Sequence, residues 1–330
     1  MKKLMNGADS FVDEMLEGLC AANPELKREG PGGRVVRMMA PQGRKVGIVS
    51  GGGSGHLPLF TGYVGRGLLD ACAVGDVFAG PSVAACTAAM RAANTGNGVV
   101  RLYGNYGGDR MSFDLAGETL AAEGIRATTV LGIDDVASAN ASEQEKRRGV
   151  AGIVFAYKMA GARAAEGADL EEVTRVAAKA VAQTRTIGCA LSPCQIPGAA
   201  LPTFSIGEDE IEMGMGIHGE PGIWRDKLRS ADEIADEMVD RLLGDDGFKS
   251  TGRLSVMINS LGATPLEELF IVYRRVQHQL QTRGYRIERA LVGHWATSME
   301  MAGVSMSLCH LDDELNALLG APCDCPFWKN

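Results

Sequence analysis

Val46-Gly47-Ile48-Val49-Ser50 runs directly into Gly51-Gly52-Gly53-Ser54-Gly55-His56. The first five residues read as a buried strand, because a short apolar run bounded by glycine has strand length rather than helix length. Three consecutive glycines then remove side chains, so backbone N–H groups can close on a ligand oxygen. Such a loop, directly after a buried strand, lies where open α/β sheets bind ligands, at the carboxyl ends of strands. The alternative is a flexible turn. The loop is not a nucleotide P-loop, since no Gly-Lys-Ser/Thr ending follows, and its glycine spacing departs from the dinucleotide fingerprint G-x-G-x-x-G.

Outward from this stretch, Val99-Val100-Arg101-Leu102-Tyr103 reads as a second strand leading to Asn105-Tyr106-Gly107-Gly108-Asp109, and Ala127-Thr128-Thr129-Val130-Leu131 as a third. Helical patterns lie between them, at 83–93 and 113–122, and a first helix carries the stripe Phe11, Met15, Leu16 and Leu19. A helix-rich stretch over 150–184 breaks near Gly167. The second half opens on Glu210-Ile211-Glu212-Met213-Gly214-Met215-Gly216-Ile217-His218, whose strict alternation predicts one strand with Glu212, Gly214, Gly216 and His218 on a common face. A helix over 230–243, a strand over 254–258, strands at 290–292 and 304–308 and a helix over 312–319 follow. Thr264-Pro265-Leu266-Glu267 predicts a helix start with a threonine cap, proline at N1 and a capping box. Strands alternating with helices predict two α/β domains, each a mostly parallel or mixed sheet flanked by helices. The Gly-, Pro- and Ser-rich stretch 187–202 places the boundary, dividing 1–186 from 187–330.

The 330 residues suit two domains of ordinary size. A net charge of −8 argues against a nucleic-acid surface, which needs clustered Lys and Arg. Lys2 and Lys3 have no apolar run behind them, and no stretch approaches the ~20 apolar residues of a membrane span, so a cytoplasmic protein is expected. Of eight cysteines, Cys20, Cys72, Cys86 and Cys309 sit in apolar contexts. The pairs Cys189/Cys194 and Cys323/Cys325 lack zinc spacing with partner ligands, so no metal site is expected.

Three side chains stand out for chemistry. His56 sits at the mouth of the glycine loop; its alternative is a structural histidine. Asp109 follows a second strand and two glycines, where a carboxylate can accept a proton from a substrate hydroxyl; its alternative is a helix cap. His218 has small neighbours, and an unprotonated imidazole can add to a carbonyl. His278 reads as solvent-facing, and His294 and His310 as structural.

Taken together, these segments resemble the dihydroxyacetone kinase family, specifically its ketose-binding subunit. The matching stretches are Gly51–His56, Gly75-Asp76-Val77-Phe78, Asn105-Tyr106 with Asp109, and Arg147-Arg148-Gly149-Val150-Ala151-Gly152. In the second half they are Met213 to Gly222, Thr297-Ser298-Met299-Glu300-Met301-Ala302-Gly303 and Asp312-Asp313-Glu314-Leu315, of which Gly216-Ile217-His218-Gly219-Glu220-Pro221-Gly222 is the most specific. The resemblance implies that His218 binds the carbonyl carbon of a short-chain ketose as a hemiaminal. It implies that His56 and Asp109 form the acid–base pair, and that Gly53, Ser54 and Gly55 hold substrate oxygens. It further implies a homodimer and a separate helical subunit that holds ATP or ADP with magnesium, so that this chain binds no cofactor. The phosphoryl donor is either ATP or a phosphotransferase-system relay.

The chain departs from the family pattern near the site. Leu57 stands where a glutamate is usual and Gly104 where a lysine is common, while Gly80 and Gly108 replace serine and threonine. These changes make room, so a four-carbon ketose such as erythrulose is an alternative substrate. A non-catalytic ketose sensor is the alternative from a different class, and retention of both His56 and Asp109 argues for the enzyme. A dinucleotide-dependent enzyme is disfavoured by the missing fingerprint.

Overall fold

The computed structural model describes residues 2–40, 43–245 and 252–330. A six-stranded sheet forms the first half, from β1 (Leu26–Glu29), β2 (Val35–Met38), β3 (Gly47–Ser54), β4 (Ala71–Val77), β5 (Val99–Gly104) and β6 (Ala127–Gly132), in the order β1-β2-β4-β3-β5-β6. β4, β3, β5 and β6 run parallel, and β1 and β2 add an antiparallel edge. Strand alternation in β5 explains the layering. Val99 and Tyr103 face α2 (Val83–Ala93) and α3 (Gly107–Ala122), whereas Val100 and Leu102 face α4 (Ile153–Ala165) and α5 (Leu170–Ala182). The helix α1 (Phe11–Ala22) buries Val12 and Leu16 against that second face.

The chain enters a second six-stranded sheet at β7 (Thr184–Ala190), joined by β8 (Glu210–Met213), β9 (Trp224–Lys227), β10 (Arg253–Ser260), β11 (Arg286–Gly293) and β12 (Gly303–His310). Its order is β11-β10-β12-β7-β8-β9, and only β10 and β11 pair in parallel. The helices α6 (Ala231–Leu243) and α7 (Leu266–Thr282) cover one face. The other face contributes Met257, Leu291 and Cys309 to a cluster shared with α4, α5 and α8 (Asp313–Gly320), so one apolar core runs through both halves. Lys158 of α4 lies fully buried in that region, and its Nζ donates to the Leu318 carbonyl at 2.8 Å. Burial pulls its ammonium down to about 8.

Several sequence expectations shift. The glycine run is not a loop after β3: Gly51 to Ser54 continue the strand, paired with β4, a strand that the sequence reading did not assign. α3 starts at Gly107 rather than near residue 113, and Asp109 lies in its first turn without capping it. The strand expected to reach His218 ends at Met213, because Gly214 adopts φ +83° and turns the chain. Residues 211–217 are all buried, so their alternation does not mark a half-exposed strand. Thr264 does not cap α7: Pro265 takes that position, and the threonine hydroxyl donates to the Gly303 carbonyl instead.

Candidate active site

The site forms where the glycine-rich end of β3 meets two turns of the second half. Absent side chains at this strand end let other backbone close in: a Cβ at Gly53 would lie 2.7 Å from the Ala79 nitrogen. The Ser54 hydroxyl donates to the Gly75 carbonyl at 2.8 Å. The loop at 297–299 then clamps the strand end. Met299 N–H donates to the Gly55 carbonyl at 2.7 Å, Thr297 N–H to the His56 carbonyl at 3.2 Å, and the Thr297 hydroxyl to the Leu57 carbonyl at 2.9 Å. The Ser298 hydroxyl donates to the Ile217 carbonyl, which ties the same loop to the turn carrying His218.

These contacts bring His56 and His218 together, Nε2 to Nε2, at 3.0 Å. His56 is 1 % exposed, and its Nδ1 donates to the Thr297 carbonyl at 2.8 Å. His218 Nδ1 lies 3.1 Å from Glu220 Oε1, and its backbone N–H donates to Glu220 Oε2 at 2.9 Å. Phe78 stacks on His56 at 4.9 Å between ring centroids, and Tyr106 meets His218 edge-on at 5.0 Å. The Phe78 ring packed over the buried His56 imidazole favours the neutral form of that ring. Burial, reinforced by the charge of His218, pulls His56 down to about 3.

Asp109 enters from the first turn of α3. It is 8 % exposed, and its Oδ1 is buried with no hydrogen-bond partner among the described residues. Burial raises its carboxyl to about 7, although the nearby charge of His218 pulls the other way. A Cβ at Gly80 would lie 2.6 Å from that oxygen, whereas a Cβ at Gly107 or Gly108 would meet nothing within 4 Å. Behind Glu220, Arg148 binds Asp135 at 2.8 Å and lies 3.7 Å from Glu220 Oε2. Burial opposes ionisation of Glu220, yet its hydrogen bond to His218, the charge of His218 and the Arg148 guanidinium bring its carboxyl down to about 2.

His56 and His218 thus touch beside the glycine-rich end of β3, and Asp109 lies within electrostatic reach of His218. The sequence reading did not assign Glu220, Phe78, Tyr106, Thr297 or Arg148. Each lies in a stretch that carries the family resemblance, and Phe78 and Met299 also hold positive φ values of 58° and 54°, but neither signal specifies a role. Gly104 proves to be filled from within, since a Cβ there would sit 3.0 Å from the Tyr106 ring. His278 is exposed, His294 Nε2 donates to the Gly262 carbonyl at 3.2 Å, and His310 is buried in β12. Among the described residues no group of three His, Cys, Asp or Glu is placed to hold a metal, and no helix is long and apolar enough to cross a membrane.

A family model described as the Dak1 domain matches residues 17–327. The chain is 42 % identical over 335 residues to an L-erythrulose 1-kinase of Mycolicibacterium smegmatis, covering 100 % of this chain and 58 % of that protein. It is 40 % identical over 329 residues to the dihydroxyacetone-binding subunit DhaK of PTS-dependent dihydroxyacetone kinase 1 from Listeria innocua, covering 99 % of this chain and 100 % of that subunit. Among solved structures, the dihydroxyacetone kinase of C. freundii superposes with a TM-score of 0.92 at 32 % identity, over 99 % of this chain and 60 % of that one. The chain therefore spans a little over half of two of these relatives and the whole of the third.

Proposed function

The chain belongs to the Dak1-domain family, and on that premise we infer that it is the ketose-binding subunit of a dihydroxyacetone-type kinase. In this reading the carbonyl carbon of a short-chain ketose bonds to His218 Nε2, and the ketose's terminal hydroxyl is presented for phosphorylation. The observation that carries it is the pair of Nε2 atoms 3.0 Å apart between the Phe78 and Tyr106 rings. One imidazole supplies a nucleophile, and the other supplies or removes the proton that carbonyl addition requires. Polyols lack the carbonyl and are rejected. Asp109, with its carboxyl near 7, is suited to take the proton of the attacking hydroxyl at neutral pH.

Phosphoryl transfer is chiefly positioning and charge stabilisation. We assign the nucleotide and its magnesium to a separate helical subunit, with ATP or a phosphotransferase-system relay as the source. A cytoplasmic homodimer completes the proposal. The PTS-dependent subunit of Listeria innocua, matched over its full length, supports the two-subunit arrangement. A ketose sensor would need His218 but no base beside the hydroxyl, so the unpartnered Asp109 Oδ1 favours the enzyme.

A four-carbon ketose is the alternative to dihydroxyacetone, supported by the 42 % identity to an L-erythrulose 1-kinase of Mycolicibacterium smegmatis. The test is intact-protein mass spectrometry after reduction-free incubation with dihydroxyacetone or L-erythrulose, with His218→Ala as control. A ketose adduct that needs His218 supports the reading, and the absence of any adduct on folded protein refutes it.

A further inference from the structure

The hydrogen bonds around the two histidines fix a proton count. The Thr297 carbonyl can only accept, so His56 Nδ1 carries hydrogen and its Nε2, in a neutral ring, is bare. The Glu220 carboxylate likewise only accepts, so His218 Nδ1 carries hydrogen. Were both rings neutral, two lone pairs would oppose each other at 3.0 Å. The contact therefore holds one additional proton between the Nε2 atoms, and the charge on the pair is +1. Glu220 is the anion that touches this cation. The remaining charged and titratable groups facing it are Arg148 behind Glu220, Tyr106 at the rim of the His218 ring, and Asp109 on α3.

From this count we propose that Glu220 is a positioning residue that serves as permanent counter-ion to His218, both in the empty site and in a cationic ketose adduct. The inference rests on His218 being the residue that captures the carbonyl. The steps balance without solvent. The proton between the rings moves to His56 Nε2, which frees the lone pair on His218 Nε2. That lone pair bonds to the carbonyl carbon, the π electrons move onto the carbonyl oxygen, and this oxygen takes the proton back from His56. The product is an Nε2-alkylated imidazolium whose Nδ1–H still faces Glu220, together with a neutral His56. Charge and protons are the same before and after, so capture is independent of pH wherever the pair holds its extra proton. The surroundings are built for this ion pair. Any Cβ at Gly216 would collide with the Glu220 carboxylate and the Arg148 guanidinium, and Ser298 fixes the turn through the Ile217 carbonyl.

The experiment uses the full chain labelled with 15N in histidine, with dihydroxyacetone and L-erythrulose as probes. In the wild-type adduct, His218 Nδ1 is expected to appear as a protonated nitrogen with a directly bonded hydrogen. Ketose affinity should be level between about pH 6 and about pH 8, the range in which histidine charge ordinarily changes. In Glu220→Gln the same affinity should fall about tenfold or more toward the upper end of that range, because an adjacent opposite charge shifts such equilibria by one to three decades. Glu220→Asp should restore part of the level profile. A bare Nδ1 in the wild-type adduct overturns the proposal while leaving carbonyl capture intact, and this readout needs no variant to fold. A Glu220→Gln profile that matches wild type, or tighter capture by that variant, also overturns it. If no wild-type adduct forms with either ketose, the functional reading itself fails and takes this proposal with it.

Discussion

Replacing Asp109 by asparagine should stabilise the protein at neutral pH while damaging the site. In the native state burial raises the carboxyl from 3.8 to about 7, and its Oδ1 has no donor. Between those two values the native state holds a proton that the unfolded chain has released, so wild-type stability falls as pH rises through this window and stays low above it. At about 1.36 kcal/mol per decade, the full penalty is about 4 kcal/mol above pH 7 and about 1 kcal/mol near pH 4.5. Asparagine is nearly isosteric and never ionises, so the penalty is absent from Asp109→Asn. The measurement is urea unfolding of both proteins near pH 4.5 and near pH 8. The stability gap in favour of the variant should widen by about 3 kcal/mol between the two conditions, since titrating groups far from residue 109 are common to both proteins and cancel. A gap that is constant with pH, or that narrows on going to pH 8, would show that the carboxylate is solvated or paired and would remove the argument for a near-neutral base. Phosphorylation of bound ketose should fall in the variant, separating the functional group from its cost in stability.

Two further substitutions test the surroundings of the site and of the shared core. Gly80→Ser places a Cβ where Asp109 Oδ1 lies at 2.6 Å and offers that oxygen a hydroxyl donor, so the carboxylate moves into the pocket. The ratio of erythrulose to dihydroxyacetone capture, read by competition, should fall about tenfold, the usual scale for one added group in a tight pocket; an unchanged ratio would mean that Gly80 does not set the pocket's length. Lys158→Met removes a buried ammonium lowered from 10.5 to about 8 and loses one hydrogen bond to Leu318. Because the native lysine releases its proton before the unfolded one does, wild type gains stability as pH rises from about 8 to 10.5. The variant should therefore lead by about 2 kcal/mol near pH 7 and lose that lead by about pH 10.5 in parallel urea titrations.

What the sequence made legible was local. Val99 to Tyr103 and Ala127 to Leu131 read as strands because their apolar runs are short, flanked by turn residues and repeated between helical patterns, and they are β5 and β6. Gly167 marked the break between α4 and α5 because it sits after one largely buried helix and before a capped, amphipathic one. The errors arose where burial came from another part of the chain. β4 was missed because Ala71-Cys72-Ala73-Val74 has little bulk, and it is a strand only because β3 and β2 hold it on both sides. The alternation at 211–217 came from residues buried on every side, so period alone did not register the turn at Gly214.

The candidate site illustrates the same division more sharply. His56 and Asp109 were readable from their positions after parallel strands, since that geometry follows from the sheet itself. No local pattern places His218 against His56, because 162 residues separate them and the contact depends on the 297–299 loop holding both partners. That loop binds the backbone of the first half through Gly55, His56 and Leu57 and the His218 turn through Ile217. A change in how the two sheets pack would therefore alter the spacing of the imidazoles without touching either histidine. Capture chemistry that depends on a 3.0 Å contact is consequently coupled to the apolar core shared by α4, α8 and the second sheet. Each half supplies one imidazole, so under the proposed capture neither half alone would hold both the nucleophile and the proton.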